Sequence, residues 1–183
     1  MSRAREFADL AGSADVGGIT GRNIIINGGM LVAQRGTSST TTGAYTLDRF
    51  FNSFATVAVT QSQDTTVPSG EGFTKSYKNE FTTASSSNAA YFSAYTTLEG
   101  QDLINSGWDY TSSSSFITIS FYVKSSVAGT YSCSFRTAAG TVKAFTFQYT
   151  LAADTWTRVT KSIPGNSNLT INNDSTKGMN IFM

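Results

Sequence analysis

Nucleophilic catalysis needs a base to activate the nucleophile, and this sequence lacks the usual one: it contains no histidine. The commonest general base and the commonest metal ligand are therefore both missing. The single cysteine, Cys133, sits mid-run in YSCSFR on the apolar side of an alternating stretch. That setting suits a small buried hydrophobe rather than an activated thiolate. One cysteine also excludes an internal disulfide and a cysteine-based metal site. Carboxylates remain: Asp48, Glu71, Glu80, Glu99, Asp102, Asp109 and Asp154. Glycoside hydrolysis needs two of them facing each other across roughly 5–9.5 Å, but no spacing in the chain pairs any two, so the expectation is a non-enzymatic protein. Aromatic side chains offer binding chemistry instead. Trp108, Tyr110 and Tyr95, with Trp156 and Tyr91 as further members, are candidates for a platform that takes the C–H faces of a glycan. The competing assignment buries the tryptophans in the core; it is preferred for Trp156, which begins a strand, and stays open for Trp108. Asn23, Asn27 and Asp48 carry oxygen ligands of the kind Ca²⁺ takes, although no Asp-rich loop surrounds them. No other cofactor is implied. Asp48-Arg49, just ahead of Phe50-Phe51, reads as a charge pair clamping a loop to a sheet.

The elements that must position these residues follow a period of two. Ile117, Ile119, Phe121 and Val123 share one side of a run whose other side is Thr118, Ser120 and Lys124, the pattern of a half-buried antiparallel strand. Tyr131, Cys133 and Phe135 repeat it, as do Phe145, Phe147, Tyr149 and Leu151, with Gly129-Thr130 and Ala139-Gly140 as hairpin punctuation. Further strands are expected at 24–34, 45–61, 73–83, 88–97 and 156–163, and one short helix from Leu98 to Asn105. The expected class is all-β, an antiparallel two-sheet sandwich spanning 22–183. Composition agrees. Of 183 residues, 25 are Ser and 27 Thr, aromatics reach 13% and charged residues only 14%, against an ordinary charged share of about a quarter.

Residues 1–21 differ. Phe7, Leu10 and Ala11 fall on one face of a short helical turn, with Arg3, Arg5, Glu6 and Asp9 around it, before a hinge at Gly17, Gly18 and Gly21. Ten residues do not hold a helix alone in water. The segment is either a frayed end or an arm that orders on a partner through Phe7, Leu10, Ala11, Arg3 and Arg5. A net charge of +1 without a basic run excludes a nucleic-acid backbone as partner. The start lacks the apolar core of a signal peptide, and no stretch approaches about 18 apolar residues, so synthesis and folding in a cytoplasm, with no membrane partner, are expected.

The segments GRNIIINGGMLVAQRGTSST, GAYTLDRFF, LEGQDL, SFITISFYVKSSVAGTYSCSFR and LAADTWTRVTKSIPG together resemble a recurrent module of bacteriophage virion proteins, chiefly tail-fibre-like proteins of marine and cyanobacterial phages. The shared pattern falls on Arg22, Asn23, Asn27 and Gly28; on Gln34, Arg35, Gly36 and Thr37; on Asp48, Arg49 and Phe50; on Glu99, Gly100 and Gln101; on Phe121 to Lys124; and on Asp154, Thr155 and Trp156. The start MSRAREFADLAG is similar to the amino-terminal tag of such fibre proteins. The resemblance implies a jelly roll akin to carbohydrate-binding modules and a structural place in the virion, in tail or capsid. It also implies other virion proteins as partners, homotrimeric assembly in a fibre, and contact with host surface glycan. Phe50 stands where relatives often carry Trp. The chain ends at GMNIFM, inside what reads as a strand, where relatives continue; the sandwich is thus expected to lack its last strands or to borrow an edge strand from a neighbour.

Overall fold

A computed structural model of the chain describes residues 23–43 and 46–183; the arm residues Arg3, Arg5, Phe7, Leu10 and Ala11 lie outside them. The regular secondary structure of the described residues is almost all strand, with one short helix. In order come β1 (Ser38–Ser39), β2 (Phe50–Ala55), β3 (Ala58–Asp64), β4 (Ser76–Thr83), β5 (Tyr91–Glu99), α1 (Gly100–Ile104), β6 (Phe116–Val123), β7 (Gly129–Thr137), β8 (Ala144–Leu151), β9 (Thr157–Pro164) and β10 (Lys177–Phe182). They form three antiparallel sheets, ordered β1-β3-β4, β2-β5-β10-β7-β8 and β6-β9.

Alternation sets what each sheet buries. One face of the five-stranded sheet carries Phe50 and Asn52, Ala94, Thr96 and Leu98, Met179 and Ile181, and Cys133 and Phe135, all buried. Both smaller sheets pack on that face. Phe50 meets Tyr77 of β4 with ring centroids 6.0 Å apart, and Phe121 of β6 meets Tyr149 of β8 at 5.7 Å. Ile119 and Ile163 join the same core as Phe135, Met179 and Ile181. Cys133 is fully buried within it, and desolvation pushes its thiol up to about 12. The thiolate is the reactive form, so at pH 8 iodoacetamide should label the native chain far more slowly than the urea-unfolded one; equal rates by mass spectrometry would remove Cys133 from the core.

The structure differs from the sequence expectation in five places. The strands form three sheets and not the expected two, because β1-β3-β4 and β6-β9 share no ladder with each other. No strand covers 24–34. Asn27 and Met30 hold left-handed backbones, φ 59° and 58°, and the Met30 amide donates to the Asn27 carbonyl, closing a turn. The isoleucines favour a strand, but β propensity needs a partner strand, and among the described residues none pairs with them. The described part of the expected 45–61 strand, residues 46–61, is not one strand. The chain breaks between β2 and β3 at Thr56, φ 59°, and the two strands belong to different sheets. The helix begins at Gly100, Leu98 remaining in β5. The last strand is not an edge: β10 is paired with β5 on one side and β7 on the other.

Candidate functional site

Residues scattered along the sequence meet at two places. At the first, the Asn27 carboxamide accepts from the Val32 amide (2.9 Å) and donates to the Val32 and Asp48 carbonyls (2.9 and 3.0 Å). The Asp48 carboxylate accepts from the Gln34 amide at 3.2 Å. The 27–34 loop is thereby pinned to the turn ahead of β2. Asp48 does clamp loop to sheet, but by hydrogen bonds and not by an ion pair with Arg49. Arg49, left-handed at φ 72°, sends its guanidinium to Glu99, Nη2 to Oε1 at 3.0 Å. The other Glu99 oxygen accepts from Gln101 Nε2 at 3.0 Å. The first amides of α1, on Gly100 and Gln101, donate to the carbonyls of Thr176 and Asp174. These residues mostly hold one another and the backbone, which makes the corner scaffold.

At the second place Lys124 Nζ stands 5.6 Å from the Trp156 ring centre, and the Asp154 amide donates to the Ser125 carbonyl at 2.7 Å. Trp156 is half-buried and outside the main core cluster. The expected core plug is instead a surface ring under a cation, because it precedes β9 at the strand end beside Lys124. Trp108 takes the core position: it is 6% exposed, with Nε1–H donating to the Ser115 carbonyl. Tyr110 meets it edge-on at 6.4 Å. Trp108 also lines a cavity of about 250 Å³ with Phe145, Ile163 and Met179.

Tyr95 is not with them. By alternation it points out of the opposite face of the five-stranded sheet, between its register partners Phe51 and Phe182. Phe51 and Tyr95 are parallel within 4° at a centroid distance of 4.9 Å, and Tyr95 to Phe182 is 5.1 Å at 35°. Parallel rings that close cannot lie side by side in one plane; they are offset-stacked. Tyr95 therefore has a ring against each face and no free face for a sugar. The expected platform of Trp108, Tyr110 and Tyr95 is not assembled.

The outer face presents instead a groove of about 340 Å³ lined by Arg49, Phe51, Tyr95, Thr97, Glu99, Ser175 and Lys177. The Thr97 hydroxyl donates to Asn180 Oδ1 at 2.9 Å. Lys177 is exposed and forms no ion pair among the described residues. Sequence reasoning missed this site; the one local signal was Phe50-Phe51, since adjacent strand residues cannot both point inward. Among the described residues, hydrogen bonds from Thr66 and Thr111 hold the carboxyls of Asp64 and Asp109 below the usual carboxylate range. Of the residues considered for Ca²⁺, Asn27 has both amide atoms engaged by backbone, and Asn23 Oδ1 accepts from the Ile25 amide. Among the described residues no three of Asp, Glu, Cys and His gather as a metal site would require. The chain matches no protein-family model, no curated protein and no solved structure.

Proposed function

We propose that the chain is a non-enzymatic structural component of a bacteriophage virion, a tail-fibre or tail-adaptor protein made in the host cytoplasm. In this reading residues 22–183 are a jelly-roll module akin to carbohydrate-binding modules, and the 1–21 arm docks the module to other virion proteins. One observation carries it: the segments that resemble the phage module, though separated by up to 50 positions along the chain, meet in space and bond to one another. Asn27, Gln34, Asp48, Arg49, Glu99, Gly100 and Gln101 build a corner, as a scaffold signature would. Homotrimeric assembly rests on the fibre resemblance alone, since β10 is paired on both sides and offers no free edge.

Immunogold labelling of purified particles tests the location. Label on the tail fits the proposal, label spread over the head makes this a capsid decoration protein, and no label on particles ends both readings. Deleting residues 2–18 should leave the melting temperature unchanged within about a degree, as expected for a segment too short to fold alone, and should abolish incorporation into particles. Normal incorporation of the deleted chain would reduce the arm to a frayed end.

A further inference from the structure

We infer that the outer-face groove between Arg49 and Lys177 is a binding site for a carboxylated sugar, a uronic or sialic acid unit of a surface glycan. Its volume, about 340 Å³, is at the small end of ligand pockets, which run from roughly 300 Å³ upward, and suits a sugar ring or two rather than a long segment. Its charge is uneven. Arg49 is balanced by Glu99 at 3.0 Å, whereas Lys177, on the β10 side of the groove and opposite Glu99 in the β5–β10 register, forms no ion pair among the described residues. The groove thus nets one positive charge, which a carboxylate would satisfy at the Lys177 ammonium. Hydroxyl groups find the other walls. Both Glu99 oxygens are already tied, to Arg49 and Gln101, so the guanidinium is held still with donors to spare. Thr97, donating to Asn180, keeps acceptor lone pairs. The edges of Phe51 and Tyr95 supply the apolar side of the groove. Arg49 is held in a left-handed backbone, φ 72°, a conformation that costs a non-glycine residue energy and collects at ligand sites.

An acidic peptide fits less well. Peptides bound to sheets add a strand at an edge, but the groove lies on the face of the sheet over β2, β5 and β10, so a strand added beside β2 would lie next to it and not in it. Sugar hydroxyls need only side chains.

The test uses the full chain, isotope-labelled, titrated by NMR with trigalacturonate and with sialyllactose. Controls are the methyl ester of trigalacturonate, which is the same sugar without charge, and triglutamate. At least one acidic sugar should shift the amides of Tyr95, Thr97 and Lys177. Lys177→Gln, an exposed change, should weaken it about tenfold or more, as for one charge-assisted hydrogen bond, while Lys177→Arg retains most of the affinity. The inference is overturned if neither sugar binds, if the ester binds as well as the acid, if triglutamate binds as tightly, or if Lys177→Gln changes nothing. Binding does not require a particle, so its failure leaves the virion reading standing.

Discussion

Ile181→Asp is expected to cost about 4–5 kcal/mol, the upper range for a single substitution, because it places an unpaired carboxylate in an apolar layer. Ile181 is 2% exposed on the central strand β10. Its register partners are Thr96 and Phe135, and no cation lies among them. Domains are stable by only about 5–15 kcal/mol, so the variant should melt roughly 10–20 °C below the parent or fail to fold. Ile119→Asp is the informative comparison. The period-two pattern makes it look equally severe, and Ile119 is indeed buried at 5%. Its register partner, however, is Lys161, an exposed residue of β9, and directly opposed residues share a side of the sheet. An aspartate there has a cation to meet, so a loss about half as large is expected, by the worth of such a pairing. Calorimetry on both variants decides it; an Ile181→Asp chain melting with the parent would place β10 outside the core.

Gly178→Ala should be nearly as damaging, at about 2–4 kcal/mol, although it adds one methyl group. A Cβ at Gly178 would stand 2.7 Å from Gly100 Cα and 2.8 Å from Gly100 N. Both are backbone atoms, and neither can swing away. Gly178 sits where the β10–β5 register shifts, and Gly100 opens α1, so this contact is how the helix start docks on the central strand. Gly29→Ala is the control: its Cβ would meet only Leu31 side-chain atoms at 3.7 Å and beyond, and it should change stability by less than about 0.5 kcal/mol. Equal denaturant midpoints for Gly178→Ala and the parent would refute the close approach.

The sequence by itself determined the all-β class and most of the inward-facing residues. Ile117, Ile119 and Phe121, Cys133 and Phe135, and Phe145, Phe147 and Tyr149 all lie on the core side, because strand alternation is written in neighbouring residues and needs no knowledge of partners. The same locality explains the misses. Ile24 to Ile26 look like a strand, yet Asn27 turns the chain and bonds to Asp48, a residue beyond any local window. GMNIFM reads only as part of a strand, and its place in the middle of the sheet, between β5 and β7, is not written in it. Tyr95 looked like a companion of Trp108; its ring is instead enclosed by Phe51 and Phe182. Arg49, Glu99 and Lys177 carry no pattern that unites them before β2, β5 and β10 are placed side by side. Which strands pair, and in what register, is fixed by packing between distant segments, and every feature of the candidate site depends on that choice. Only the tertiary structure made it.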